Sequence, residues 1–373
     1  MEEQNKQNLA TKEIEPPEAK ENLSTKSKSI SKIGIIIGVA TAVVILIVAL
    51  FLLISTKSSD EDSDKDFDDI PQGSVGLSYV ENGDGYSVKI GSCTDTEIII
   101  PSHYNKKPVT AIADKGFEMC KSITSVSIPD TVKTIGVGAF QVCHNLIEIN
   151  IPNSVTSIKE AAFYNCLSLT SIDIPDSVTN IGKQAFYNCE KMVSVTIGDG
   201  VDRIEEGTFM KCESLKKITL SEGLKMIGVS AFQSCKSLKT IELPSTLTSI
   251  WDKAFLSCTS LQSIAIPDNI HKIMTQTFFG CESLTDVSIG NGVTEIERYA
   301  FEHCTALRKI IIPKNVTSIE NYAFESCSST LDIYCRASYE PVMFGSYWNC
   351  VDEDFPYPNY APKCSVTWGY TGN

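Results

Sequence analysis

Cys166-Leu167-Ser168-Leu169-Thr170-Ser171-Ile172-Asp173-Ile174-Pro175-Asp176-Ser177-Val178-Thr179-Asn180-Ile181-Gly182-Lys183-Gln184-Ala185-Phe186-Tyr187-Asn188 is one unit of a pattern that fills most of this 373-residue chain. Ile172 and Ile174 alternate with polar residues, the period of a strand with one buried face. Pro175 ends that strand, because it has no amide hydrogen to give to a ladder. Asp176-Ser177 is turn chemistry. Val178 and Ile181 then point apolar groups back inside. Ala185 and Phe186 are expected in a short helical or 3₁₀ turn, and Cys189 closes the unit.

Phe recurs at 117, 140, 163, 186, 209, 232, 255, 278, 301 and 324, and Cys three places after each, always at intervals of 23 residues. A fixed period of this length means stacked units, each placing its residues above their counterparts one coil away. The Pro position becomes Gly198, Ser221 or Gly290 in other coils, all compatible with the same turn. Ordering one coil costs more backbone entropy than burying its own apolar side chains returns. A lone coil therefore unfolds, and stability comes from its neighbours.

The consensus Leu-x-x-Ile-x-Ile-Pro-x-x-Val-x-x-Ile-x-x-x-Ala-Phe-x-x-Cys resembles the BspA-type, or Treponema-type, leucine-rich repeats of bacterial surface proteins. The resemblance covers about residues 79–370. It takes in a longer-looped first coil at 98–112, and the segments Ile333-Tyr334-Cys335 and Val366-Thr367-Trp368-Gly369-Tyr370, which look like a closing cap. It implies a β-rich leucine-rich-repeat solenoid of parallel ladders and about 11 coils, with repeats over about 95–350 and the cap over about 330–373. It also implies a surface protein, since members of that family are mostly surface adhesins or uncharacterised surface proteins.

Outside the repeats, residues 33–54 form a run of 22 without a charge, rich in Ile, Val, Leu and Ala. At about 1.5 Å per residue a helix of this length spans roughly 33 Å, about a bilayer core. A cleaved signal peptide is the competing reading. Its apolar region would be shorter, about 7–15 residues, and would end in small residues, which Phe51-Leu52-Leu53-Ile54-Ser55 does not. Lys26, Lys28 and Lys32 precede the run and only Lys57 closely follows it, so the N-terminus is expected in the cytoplasm. Residues 1–32 are polar and expected to be a disordered cytoplasmic tail. Residues 55–75, rich in Asp and Ser, read as an acidic extracellular linker, and 76–373 as the ectodomain.

The formal net charge of −14 argues against a general affinity for nucleic acid, which needs a basic footprint. The four His have no suitable partners at neighbouring repeat positions, and no phosphate loop, nucleophile elbow or zinc-protease motif is present. No catalytic residue, cofactor or metal is expected. The row Asp130, Asp176, Asp199, Glu222 and Asp268 occupies the turn after the strand, where turn preference accounts for it without an ion. The ten Cys at one repeat position are expected as buried thiols pointing the same way into the core. Cys93 lies in the lead-in segment and Cys350 continues the interval. Cys335 and Cys364, both in the cap, are the candidate disulfide.

Solenoids bind on the face of their strand ladder. Counting in 23s gives two outward rows, one through Ser171, Ser194, Lys217 and Thr240, the other through Asp173, Thr196, Thr219 and Glu242. Small and polar, they suit an extracellular protein or glycan. A second candidate is the group Trp251, Leu256, Met274 and Phe279, apolar where other coils carry mostly Gly, Lys, Gln or Glu. The sequence reading is thus a membrane-anchored binding protein, with a structural role in the cell envelope as the alternative and the oligomeric state open.

Overall fold

A computed structural model describes residues 73–341, 343–345, 347–349 and 364–372. The tail and anchor expected at 1–32 and 33–54, nearly all of the linker at 55–75, and Cys350 lie outside the described residues. The chain divides into two units, Met1–Asp66 and Phe67–Asn373, and every described residue belongs to the second. No helix among the described residues is long and apolar enough to cross a membrane.

That unit is a β-solenoid of about 11 turns. Each typical coil contributes two short strands, in the quoted unit Ser171–Ile174 and Asn180–Ile181. The first pairs in parallel with Ser194–Ile197, setting Ile172 against Val195 and Ile174 against Ile197. The second pairs in parallel with Ser157–Ile158, setting Ile181 against Ile158. Both registers step by 23 residues, so the repeat period and the ladder register are one quantity. Inward side chains then stack on their own kind, and a slip of one residue would turn them outward.

The third side of the coil corrects the sequence reading. It was expected as a helical or 3₁₀ turn, yet no α- or 3₁₀-helix occurs among the described residues. Alternate amides donate to the next coil instead: Ala161 to Lys183, Phe163 to Ala185 and Asn165 to Tyr187. Those between, on Ala162, Tyr164 and Cys166, donate to carbonyls three residues back. Spending every second amide on the neighbour prevents a continuous helix. The path requires left-handed backbone before the Ala and before the Cys, as at Ala161 (φ 53°) and Asn165 (φ 58°), and the same two positions repeat along the stack.

The ten Phe are fully buried and form one column. Successive rings from Phe117 to Phe324 stack with centroids 5.2–5.6 Å apart. Beside it runs the Cys column. Cys143 Sγ donates to the Phe117 carbonyl at 3.0 Å, Cys166 to Phe140 and Cys189 to Phe163, a pattern that continues to Cys327. Each of these thiols is thus a second donor to a Phe carbonyl that already accepts the amide of the Cys three residues further on. Burial pushes the Cys143 and Cys258 thiols up to about 12.

An antiparallel hairpin, Ser78–Asn82 with Gly85–Lys89, starts the unit and pairs in parallel with Lys107–Ile112. At the far end Lys309–Ile312, Asp332–Cys335 and Ser365–Trp368 pair in parallel. The bridge expected between Cys335 and Cys364 does not form: Cys364 Sγ donates instead to the Asn349 carbonyl at 3.0 Å. The register opposes Cys335 to Trp368 and Asp332 to Ser365, which separates the two cysteines along the strands by more than a disulfide spans.

Candidate partner-binding face

Alternation fixes which side chains leave the first ladder. Ile172, Val195 and Ile218 turn inward and are buried, so their neighbours turn outward. Ser171, Asp173, Thr196, Lys217, Thr219, Thr240 and Glu242 are exposed and Ser194 is half-buried. All eight ladder positions read from the sequence therefore lie on the outer side.

They do not form one even surface. Strand pairing in the first ladder ends at Glu148–Ile149, again at Lys217–Thr219 and again at Asp286–Ile289, three coils apart each time. Beyond Lys217–Thr219 the next coil makes only a single bridge, from Thr240 onward to Ser263. At that interruption the surface dips into a depression of about 420 Å³, within the range of small-ligand sites. Its lining includes Lys216, Lys217, Thr219, Glu222, Thr240, Glu242 and Ser245. A second depression of about 350 Å³ lies at the interruption beyond Asp286–Ile289 and is lined by Asp286, Ser288, Asn291, Ile311 and Arg336 among others.

The structure thus gathers Lys217, Thr219, Thr240 and Glu242 around one concavity. Ser171, Asp173, Ser194 and Thr196 lie apart from it, on the continuously paired run. Lys216, Glu222 and Ser245 join the depression although the outward-row count omits them. Lys216 precedes its strand and the other two follow the strand in the turn, so strand alternation does not single them out. The visible signal was a Lys at 216 and again at 239, where the preceding coils carry Thr170 and Val193.

The Trp251 group sits at an interruption of the second ladder. Ser249–Ile250 pairs with Met226–Ile227, and Lys272–Ile273 with Glu295–Ile296, but no strand pairing joins Ile250 to Ile273. Trp251 and Met274 directly follow these two ends. Trp251 is 42% exposed, while Leu256, Met274 and Phe279 are half-buried. Phe279 packs edge-on against His303 at 5.3 Å. Tyr164 and Tyr187, at the Phe279 position of earlier coils, stack on each other at 4.5 Å. Local packing therefore explains much of this group.

The acidic row has a structural use. Asp176 Oδ1 accepts the Asp199 amide at 2.9 Å, Asp199 Oδ1 the Glu222 amide, and Asp268 Oδ1 the Asn291 amide. Each carboxylate caps the turn one coil on. No cluster able to hold a metal ion occurs among the described residues.

The chain matches the BspA type leucine rich repeat region in six copies, over residues 110–239 and 202–331. It belongs to the BspA-type leucine-rich repeat family. Solved structures similar to this BspA-type chain include a leucine rich cell surface protein from Faecalibacterium prausnitzii (26% identity, 81% of this chain and 100% of that one, TM-score 0.44). Another is the leucine rich repeat protein of T. pallidum (24% identity, 62% and 88%, TM-score 0.38). A third is the pneumococcal vaccine antigen PcpA (20% identity, 80% and 85%, TM-score 0.48). No curated protein matches.

Proposed function

We propose that this BspA-type chain is a cell-surface binding protein, an adhesin, that recognises an extracellular protein or glycan with the outer side of its first ladder. The observation that supports this reading is the depression at the Lys217–Thr219 interruption, which collects four outward ladder residues around one concavity of a polar surface. Binding without catalysis fits an open, hydroxyl-rich surface. In this reading residues 33–54 anchor the chain, and the acidic segment at 55–75 holds the repeats away from the membrane. Protease added to intact cells should then degrade 76–373 and spare the first 30 residues; the reverse pattern removes the topology.

The test of the binding face screens the full chain in detergent against arrays of proteins and glycans. It is repeated with Lys217→Ala, Thr240→Ala and Glu242→Ala combined, and with Ser171→Ala and Thr196→Ala combined as a control on the same ladder. Loss of a captured partner with the first set alone supports the reading. Capture unaffected by the first set, in protein that melts normally, removes it.

A further inference from the structure

Several lysines of the solenoid are matched to an acid one coil away. Lys183 Nζ lies 3.0 Å from Glu206, Lys236 2.8 Å from Glu213, and Lys272 2.6 Å from Glu295. Lys216, Lys217 and Lys239, like Lys121, Lys133 and Lys159, are exposed and have no ion pair among the described residues; what sets them apart is that they crowd onto two successive coils. Like charges side by side on a ladder repel. Lys216 and Lys217 line the depression from the start of the strand. Glu242 and Glu222 line it from the strand's far end and the turn beyond, with Thr219 and Thr240 between. The lining has no aromatic residue, and of its apolar residues Ile218, Leu220, Ile241 and Pro244 are buried and Leu243 half-buried, so it gives a protein partner little apolar surface for a hot spot.

Building on the proposed binding face, we infer that this depression recognises an acidic sugar within a glycan chain. Lys216 and Lys217, which line it, take its carboxylate or sulfate, Lys239 next to Thr240 adds positive charge at its edge, and Thr219, Thr240, Glu222 and Glu242 bond its hydroxyls. The division follows donor chemistry. Ammonium groups are donors only and strengthen when the acceptor is charged, whereas carboxylates are acceptors only and suit sugar hydroxyls. A neutral glycan leaves three lysines unmatched. An acidic peptide leaves Glu222 and Glu242 facing like charge.

The experiment measures binding of the full chain to four polymers: polygalacturonate, dextran sulfate, dextran and poly-L-glutamate. The expected result is binding to polygalacturonate or dextran sulfate, weakening with salt, with dextran and poly-L-glutamate at least tenfold weaker. Preference between the first two assigns the anion as carboxylate or sulfate. Lys216→Gln, Lys217→Gln and Lys239→Gln combined should cost at least tenfold, and Thr219→Ala with Thr240→Ala severalfold. The triple Arg variant should retain binding. Lys121→Gln, Lys133→Gln and Lys159→Gln combined, on exposed lysines elsewhere, should change nothing.

Equal binding of dextran or poly-L-glutamate, or an equal loss in the Lys121 control, overturns the inference. If all four polymers fail while the ladder variants still abolish capture on the arrays, the inference falls and the binding face stands. If the ladder variants also leave capture intact, both fall.

Discussion

Val142 occupies the position before Cys143 with φ 63°, a left-handed backbone that a β-branched side chain tolerates poorly. The equivalent residues Asn165 and Asn188 suit it, and Asn188 Nδ2 donates to Asn165 Oδ1 at 2.9 Å. Val142→Asn is therefore expected to stabilise by about 1 kcal/mol, seen as a small rise in melting temperature; a fall would mean that Val142 packing outweighs the backbone strain. The thiol column sets a pH limit. Burial raises the folded thiols, to about 12 at Cys143 and Cys258, above the ordinary 9.0. Below pH 9 both folded and unfolded thiols are protonated and the stability is intact. Above it the unfolded chain releases protons that the folded chain keeps, so stability falls as pH rises from 9 toward 12. Melting curves between pH 7 and 11 should show the loss beginning near 9, and a flat profile would contradict the burial. At this scale burial of the Cys was legible, since equal spacing puts nine of the ten in one environment; Cys120, in the first coil, is only half-buried, and its thiol donates to the Glu118 carbonyl instead. The Phe carbonyl each thiol bonds was not, because that partner lies 26 residues back across a coil boundary.

Among elements, the first ladder could be read because Ile172 and Ile174 alternate with polar residues over four positions. The second strand is only two residues long, Asn180–Ile181, too short for a period to show. The corner misled for a related reason: its bonds to residues three back are those of a 3₁₀ turn, but every second amide serves the next coil. The acidic turn row belongs to this scale as well. Asp199→Ala leaves the Glu222 amide without its side-chain acceptor. Because the site is exposed and water substitutes, the cost should be modest, about 0.5–1.5 kcal/mol. Asp199→Asn should recover most of it in the same thermal melt. A full-sized loss in both variants would show that charge, rather than the acceptor oxygen, is what counts there.

For the whole solenoid, each coil touches only its neighbours, so stability is close to a sum over coils and interfaces. Excising residues 167–189, one complete period, brings Glu148–Ile149 next to Ser194–Ile197 with like facing like. That variant should fold and melt cooperatively, with a slightly lower midpoint. Excising 168–189, one residue fewer, shifts all later coils out of phase and should abolish the cooperative transition in circular dichroism. Equal behaviour of the two deletions would refute register as the organising quantity. The period, the Phe and Cys columns, the inward and outward rows and the family were all set by the sequence, because identical spacing forces identical environments once coils stack. Where the ladders lose their pairing, and hence that Lys217, Thr219, Thr240 and Glu242 share one depression, was decided only in three dimensions. Ile218-Thr219-Leu220 and Ile241-Glu242-Leu243 keep the same alternation as the paired coils. A bond between coils depends on the relative placement of segments 23 residues apart, accumulated over the whole stack, and no residue in either segment carries that quantity.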